Sequence, residues 1–487
     1  MVKTANNLVS ADSHDAAAMR ALLDAQRADF AANLPVPLAL RRDRLTRAIA
    51  MMVDHGDAWC NAVSEDFGNR PRELTMMTDV IASANALKHA RKNLSAWMRA
   101  DKRKTLFPLG LLGASARVEY QPKGVVGIIA PWNFPIGMVM APLAGVFAAG
   151  NRAMAKPSEF TPNTAALFAE LVPQYFDANE MAVVTGGAET GQAFAKLPFD
   201  HVIFTGATGI GRHILHAAAD NLCPVTLELG GKSPVIVGES ANLEATAQKV
   251  ALGKLMNAGQ ICLAPDYVLI DGKRERAFVD AVAASASAMY PTILDNPDYT
   301  SIVNDRHHAR LHAYVEDARE KGADIMVVNP AGEDFASANS RKMPLHIISG
   351  ATDDMRVMQE EIFGPLLPIR RANSVGEAVQ YVNAHDRPLG LYYFGRDGAE
   401  EDHVIDQTIS GGVTVNDVIF HVAQEDLPFG GIGPSGMGNY HGFDGFQTFS
   451  HAKAVYRQAK PDVAALAGMK PPYGKATQKA IARDLRK

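Results

Sequence analysis

The chain contains little cysteine for its length. Only three of its 487 residues are cysteines, Cys60, Cys223 and Cys262. Three thiols exclude a disulfide framework and a four-cysteine zinc site, so a cysteine function would rest on one reactive thiol. The length suggests about three domains. A chain of this size also buries enough surface to fold without cross-links.

An excess of positive charge is also absent. Lysine and arginine number 48 against 53 acidic residues, which gives a net charge of −5. Electrostatic nucleic-acid binders usually carry a basic excess, so we expect no nucleic-acid partner. Residues 461–487 are the exception, with six basic and two acidic residues. A solvated terminal helix is the simpler interpretation of this basic tail, and contact with an anionic surface is the alternative.

No long apolar run is free of interruptions. Residues 124–151 carry no charge and are numerous enough to cross a bilayer. Three prolines and five glycines interrupt them, however, which favours a buried strand followed by a packed helix. The first 15 residues lack the apolar core of a signal peptide. We therefore expect a cytoplasmic protein that does not contact a membrane.

Short β-rich segments alternate with helical ones, which is typical of α/β proteins with parallel sheets. Residues 12–97 are predicted to be helical. Residues 124–211 then contain the predicted strands Val125–Ile129, Arg152–Lys156, 181–185 and 201–205, and residues 233–412 contain a second such block, with strands at Pro234–Val237, Tyr267–Ile270 and 366–369. Alternation in residues 116–124 predicts a small hairpin. The sequence thus predicts two α/β domains and a hairpin element.

Cys262 is the candidate nucleophile. It lies in the segment NAGQICLAP at 257–265, directly after an apparent helix. Gly259 allows the backbone to turn, and Pro265 prevents a helix from continuing there. A thiol in such a turn can face a cleft. The alternative is a buried structural cysteine, because reactivity requires an unusual environment.

Glu228 is the candidate base. It lies inside an apolar strand, directly before a Gly–Gly turn. Burial there would raise its pKa and make it a base near neutral pH. The alternative is a carboxylate paired with Lys232 or with a helix N-terminus.

Two further segments can bind developing charge or phosphate. Asn133, in PWNFP at 131–135, is a braced amide donor suited to an oxyanion, or else a helix cap. Gly206, Gly209 and Gly211 lie between a strand and a helix, where backbone N–H groups can approach phosphate. Their spacing differs from the G-x-G-x-x-G pattern, so this motif alone is weak.

Together these segments resemble the aldehyde dehydrogenase superfamily over nearly the whole chain. Six motifs occur in the family's order: PWNFP at 131–135, KPSE at 156–159, FTGATGIG at 204–211, LELGGKSP at 227–234, GQICLAP at 259–265 and EIFGP at 361–365. The short N-terminal region and the GQICLAPDY form resemble the class 3 branch. Residues 427–455 resemble bacterial coniferyl aldehyde dehydrogenases.

The resemblance implies a domain organisation. Residues 1–112 and 125–231 would form the N-terminal helices and an NAD-binding domain, and residues 232–420 a catalytic domain. Residues 113–124 and 441–460 would form an oligomerisation element, followed by the basic tail at 461–487. The same resemblance implies a homodimer.

The resemblance also implies NAD-dependent oxidation of an aldehyde, of the aromatic coniferyl aldehyde type, to its acid. Cys262 would form a thiohemiacetal and then a thioester, Asn133 would hold the oxyanion, and Glu228 would activate water; no metal is implied. The cofactor-binding residues would be Trp132, Lys156, Glu159, Gly206, Gly211, Glu361 and Phe363. Since a carboxylate repels a 2′-phosphate, Glu159 predicts a preference for NAD, with NADP as the alternative. Ala207 lacks the hydroxyl that many relatives carry there.

Other functions remain open at this point. A fatty aldehyde dehydrogenase of medium- or long-chain specificity differs only in the substrate pocket. An acylating enzyme that uses coenzyme A would have no need of Glu228 to activate water. A cofactor-independent thiol hydrolase would share the cysteine and the glutamate, but it would not use Lys156, Gly206 or Glu361. A catalytically silent protein would not require Cys262, Glu228 and Asn133 together.

Overall fold

The computed structural model describes residues 15–466 and 468–485. Sixteen strands are described: β1 (Asp101–Arg103), β2 (Ser115–Pro122), β3 (Val125–Ile129), β4 (Arg152–Lys156), β5 (Met181–Val183), β6 (His201–Gly206), β7 (Val225–Leu229), β8 (Pro234–Val237), β9 (Tyr267–Ile270), β10 (Asp324–Val328), β11 (Leu345–Ser349), β12 (Leu366–Arg371), β13 (Gly390–Phe394), β14 (Gly412–Val415), β15 (Gly436–Met437) and β16 (Ser450–Arg457). Expectations for residues 1–14, and for Arg486 and Lys487 of the tail, lie outside the described residues.

Eighteen α-helices are described in the same part of the chain: α1 (Ala16–Ala32), α2 (Leu38–Asp54), α3 (Gly56–Phe67), α4 (Arg72–Thr75), α5 (Ala82–Trp97), α6 (Gly137–Ala149), α7 (Pro162–Tyr175), α8 (Ala188–Ala195), α9 (Thr208–Ala219), α10 (Leu243–Leu255), α11 (Gly272–Met289), α12 (Asp305–Glu320), α13 (Arg356–Gln359), α14 (Val375–Asn383), α15 (Gly398–Gln407), α16 (Gly442–Thr448), α17 (Val463–Leu466) and α18 (Lys475–Asp484). A π-helical turn, Met76–Ile81, joins α4 to α5, and 3-10 turns occur at Met256–Gly259 and Phe420–Ala423.

The first large sheet has six strands in the order β15-β7-β6-β3-β4-β5. All its pairs are parallel except β15 with β7. Strand β15 comes from the C-terminal part of the chain and adds to the sheet beside β7. The register pairs Ile129 with both Lys156 and Phe204, and Thr205 with Glu228. The carboxyl ends of these strands therefore meet at one edge, where α/β sheets bind their ligands.

The second large sheet has seven strands in the order β10-β11-β12-β9-β8-β13-β14. Its pairs are parallel except β10 with β11. Strands β8, β9 and β13 are buried along their whole length, as strands covered by helices on both faces are. The two sheets confirm the predicted α/β fold.

The third sheet is antiparallel, in the order β1-β2-β16. The alternating residues 116–124 contribute β2, but the chain then continues into β3 of the first sheet instead of folding back. The partners of β2 are β16 and a third strand, β1, which lies inside residues 1–112. Strand β1 consists of three charged residues, Asp-Lys-Arg, with no apolar alternation that could reveal it.

The uncharged segment 124–151 forms strand β3 and helix α6, as the sequence predicts. Every residue of β3 is buried, and so are all but two of α6. A helix with this much burial is apolar on all sides because it packs on all sides. Among the described helices, none is both long and apolar enough to cross a membrane.

Candidate active site

Cys262 lies in the loop between the 3-10 turn at Met256–Gly259 and β9, and it is half-buried. Cys60 and Cys223, in contrast, are buried. Burial first, and the charges of Glu361 and Glu228 second, raise the pKa of Cys262 to about 12. The thiol therefore keeps its proton in this arrangement, and it lies close enough to two carboxylates to sense their charge.

A left-handed turn shapes the loop that presents this thiol. Asn257 and Ala258 both have φ values near +50°, and Gly259 has φ of +74°. Left-handed backbone costs about 1 kcal/mol or more at a residue such as alanine, so other contacts must hold it. Gln260 supplies them: its amide donates to Ser301 O at 3.1 Å and accepts from Val303 N at 3.0 Å.

Asn133 lies between β3 and α6 and contacts the same loop. Its Nδ2 donates to Gln260 O at 3.2 Å, two residues before Cys262, and its side chain is buried. Because an amide nitrogen carries two protons, one remains for a substrate oxygen. The loop also donates a hydrogen bond to Asn133, from Asn257 Nδ2 to Asn133 O at 3.1 Å. The structure thus brings the predicted amide donor and the predicted nucleophile together.

A buried ion pair holds Asn133 from the other side. Arg70 donates to Asp79 Oδ2 at 2.8 Å, and neither side chain has any solvent exposure. Arg70 Nη1 also donates to Asn133 O at 2.9 Å. Asp79 Oδ1 accepts from the backbone N–H groups of Ile136 at 3.2 Å and Gly137 at 2.9 Å, at the start of α6. The sequence pattern does not predict this pair, although one aspartate within the apolar segment MMTDVI is a weak signal of it.

Glu228 is buried in β7, with 2% of its surface exposed. Neither carboxylate oxygen has a hydrogen-bond partner among the described residues. Burial raises the pKa of Glu228 well above its usual value. Lys232, the alternative partner considered from the sequence, instead donates to Asp266 and to the carbonyls of Val357 and Glu360. Glu228 thus has the environment expected of an internal base and not that of a structural ion pair.

A second buried carboxylate, Glu361, lies against the turn that follows β7. A side chain at Gly230 would collide with its carboxylate. Burial, and secondarily the charge of Asp266, raise the pKa of Glu361 to about 8, and its Oε1 has no partner among the described residues. Phe363 follows with φ of +51°, and its ring lies 5.3 Å from that of Trp132. A side chain at Gly259 would collide with Gly364 O, so the segment that carries Glu361 and Phe363 lies against the Cys262 loop.

The other predicted cofactor residues lie at the carboxyl edge of the first sheet. Lys156 ends β4, and its Nζ is 2.9 Å from Glu159 Oε2. Burial acts to raise the pKa of Glu159, but this ion pair lowers it overall. Gly206 ends β6, and a Cβ at Gly211 would lie 2.6 Å from the Leu229 side chain. Gly211 therefore allows α9 to pack closely on β7.

The family comparison agrees with this geometry. The model described as "Aldehyde dehydrogenase family" matches residues 3–455.

The chain belongs to the aldehyde dehydrogenase family.

Similar aldehyde dehydrogenases include proteins named for one substrate. The "Probable coniferyl aldehyde dehydrogenase" of Caulobacter vibrioides is 55% identical over 480 residues, covering 98% of this chain and 99% of the relative. The "Coniferyl aldehyde dehydrogenase" of a Pseudomonas species is 53% identical, covering 91% of each chain. "Aldehyde dehydrogenase family 3 member A2" of Mus musculus is 40% identical, covering 83% of this chain and 78% of the relative.

Solved structures of similar chains have the same fold. The "Substrate bound state of Staphylococcus Aureus AldH" superposes with a TM-score of 0.88 at 34% identity, covering 95% of this chain and 99% of that chain. "PnpE in complex with Nicotinamide adenine dinucleotide" has a TM-score of 0.83 at 27% identity, covering 92% and 91%. The predicted class of enzyme is thereby confirmed.

One more residue of this aldehyde dehydrogenase contacts the site without having been predicted. Tyr440 is buried, and burial together with the charges of Glu228 and Cys262 raises its pKa well above the usual value. It follows β15, which pairs with β7 opposite Glu228. Position in the sequence does not indicate this contact, because nearly all of the intervening chain forms the second sheet.

Proposed function

We propose that this enzyme oxidises an aromatic aldehyde of the coniferyl aldehyde type to its carboxylic acid, with NAD as the hydride acceptor and NADP as the alternative. One observation carries the proposal. A half-buried thiol, Cys262, lies beside two buried carboxylates and an amide with a free N–H. Among the described residues, both oxygens of Glu228 and the Oε1 of Glu361 have no hydrogen-bond partner. The substrate class is supported by the names of two relatives that are more than half identical over most of the chain.

The residues at the sheet edge fit a dinucleotide. Helix α9 begins after Ala207 with no side-chain cap, so its first N–H groups are available to a pyrophosphate. Gly209 has open space where a side chain would be. Lys156 and Glu159 would bind the adenosine ribose, and Glu361 Oε1, which lacks a partner among the described residues, would accept from the nicotinamide ribose. Trp132 and Phe363 would border the nicotinamide. When bound, the cofactor supplies an acceptor for the aldehyde hydrogen.

Each catalytic residue then has one task. Cys262 must lose its proton to a base before its sulfur attacks the aldehyde carbon, and the carboxylates whose charges reach the sulfur are Glu228 and Glu361. The free N–H of Asn133 and the backbone N–H of Cys262 stabilise the oxyanion. Loss of hydride converts the thiohemiacetal to a thioester. Glu228 then takes a proton from water, which attacks the thioester carbon. Cleavage of the carbon–sulfur bond releases the acid, and the proton held by Glu228 returns to the sulfur of Cys262.

The sequence-based assignment of a homodimer is part of this proposal. Strand β16 lies at one edge of the third sheet, and residues 451–454 on it are exposed. Unpaired sheet edges of this kind are where a second chain adds. Light scattering on the purified protein should give twice the mass of 52.3 kDa.

A steady-state substrate panel tests the proposed function. Coniferyl aldehyde, hexanal and longer aliphatic aldehydes would each be measured with NAD and with NADP by the absorbance of the reduced cofactor. We expect the highest kcat/KM for coniferyl aldehyde with NAD. Higher values for the aliphatic aldehydes would show a fatty aldehyde dehydrogenase instead. Ester hydrolysis without cofactor, and no reduction of either cofactor, would show a thiol hydrolase.

A further inference from the structure

The loop between β1 and β2 exposes an unusual amount of apolar surface. Leu106 is 79% exposed, Phe107 is 87% exposed and Leu111 is 80% exposed. Exposed apolar residues on soluble proteins are normally scattered singly, whereas contiguous ones mark an interaction site. These three side chains lie within six residues of one loop.

Basic residues lie directly behind this apolar loop. Lys102, Arg103 and Lys104 precede it, and all three are exposed. Arg103 pairs with Asp101, but in the described part of the chain Lys102 and Lys104 form no salt bridge. Their charges are therefore available to an external partner.

The basic tail leaves the protein from the same end of the third sheet. The register pairs Arg103 with Ala116 and Arg457 with Ser115, so the apolar loop and the start of the tail are neighbours. Within the tail, α18 has no buried residue. It carries Lys475 and Lys479 as well as the exposed apolar side chains Ile481 and Leu485. A basic amphipathic helix that buries none of its residues is typical of helices that lie on membranes.

We propose that the apolar loop (residues 105–114) and the described part of the basic tail (residues 461–466 and 468–485) together form a docking surface for an anionic lipid bilayer. Leu106, Phe107 and Leu111 enter the headgroup region, and the lysines around them contact the acidic headgroups. Stable attachment to a bilayer generally takes two such signals, apolar insertion and cationic attraction. Nothing here spans the bilayer; the surface lies on it.

Charge favours lipid over a second copy of the chain as the occupant. In a two-fold contact centred on this surface, the groups close to the axis meet their own copies, so Lys102, Lys104 and the tail lysines of one chain would lie near those of the other. That arrangement places cations against cations. An anionic headgroup layer instead neutralises them, while it accepts the apolar side chains.

Vesicle co-sedimentation of the full chain tests the proposal. The probes are vesicles of phosphatidylcholine alone and vesicles in which about a third of the lipid is phosphatidylglycerol. We expect binding to the anionic vesicles at least about tenfold stronger than to the neutral ones, weakening as salt screens the lysines. The variants L106S/F107S/L111S and K475E/K479E should each weaken anionic binding at least about tenfold.

Matched controls distinguish binding through this surface from non-specific adsorption to vesicles. Leu222→Ser removes a side chain that is 92% exposed and lies between α9 and β7, outside both the apolar loop and the basic tail. K196E/K273E reverses two exposed lysines on other elements. Both controls should bind like the parent, and melting curves should show that all variants are folded. If the triple variant does not fold, Phe107→Ser alone replaces it as the test of the apolar loop.

Three outcomes would overturn the proposal. The first is a loop variant that binds anionic vesicles like the parent, and the second is equal binding of the parent to neutral and anionic vesicles. The third is a change in the mass of the lipid-free loop variant by light scattering, which would assign the loop to a contact between copies of the chain.

Discussion

Replacing Asp79 with asparagine should destabilise the enzyme strongly, because it leaves a buried guanidinium without a counter-ion. The amide oxygen of the new side chain can still accept from the N–H groups of Ile136 and Gly137. Its NH2 group replaces the oxygen opposite Arg70, so the charge there and the hydrogen bond from Arg70 are both lost. Breaking a fully buried ion pair from one side costs about 3–5 kcal/mol. For 487 residues unfolding together, an unfolding entropy of about 1 kcal/mol per degree converts this to a fall of about 3–5 °C in Tm.

The double variant Arg70→Met/Asp79→Asn separates stability from catalysis. It removes both charges but retains the acceptor at the start of α6, so its Tm should lie closer to the parent than that of Asp79→Asn. It also removes the donor to Asn133 O, so kcat should fall about tenfold or more as the oxyanion donor is released. Asp57→Asn, which breaks an exposed pair with Arg72, is the matched control and should change neither quantity. If Asp79→Asn melted with the parent, or if the double variant kept full kcat, this assignment would be refuted.

Further variants test the individual roles. Cys262→Ala should abolish turnover, while Glu228→Gln should give a burst of reduced cofactor and then a steady rate lower by about 100-fold, seen by stopped-flow absorbance. Glu159→Gln should raise the NADP-to-NAD ratio of kcat/KM about tenfold, because it removes the charge opposite Lys156 that would repel a 2′-phosphate. Folding raises the pKa of Glu361 from 4.5 to about 8, so its stabilising contribution is complete below pH 4.5 and is lost as the pH rises through about 8. The Tm of the parent should therefore fall relative to that of Glu361→Gln between about pH 5 and about pH 9, and a constant difference would contradict this.

Local sequence patterns predicted the strands that carry the site, because fully buried strands consist of continuous apolar residues. Val125–Ile129 and Pro234–Val237 are continuous apolar runs, and the structure has strands with the same bounds. The burial of Glu228 was predictable for the same reason, since its neighbours in β7 are apolar. The sequence did not predict that Glu228 has no hydrogen-bond partner among the described residues, because Lys232 is close to it in sequence but donates to Asp266 instead.

The contacts that hold the site could not be read from the sequence, because each joins segments that are distant along the chain. Arg70 and Asp79 reach Asn133 and the start of α6 only after the N-terminal helices pack on the first sheet. Asparagine often adopts left-handed backbone, so the turn at Asn257 has a local signal. Ala258 has none, and it is held there by the surrounding contacts.

The electrostatics of the site also predict the order of its two proton transfers. The charges of Glu228 and Glu361 raise the pKa of Cys262, so by reciprocity a thiolate at Cys262 raises the pKa of both carboxylates. Once the sulfur is acylated it can no longer carry charge, and that repulsion disappears. Glu228 should then lose its proton more readily in the thioester than in the state in which Cys262 is a thiolate. When the burst rate and the steady-state rate are each measured as a function of pH, the steady-state rate should therefore depend on a lower pKa than the burst rate. Equal values, or a higher one for the steady state, would show that Glu228 and Cys262 are not coupled in this way.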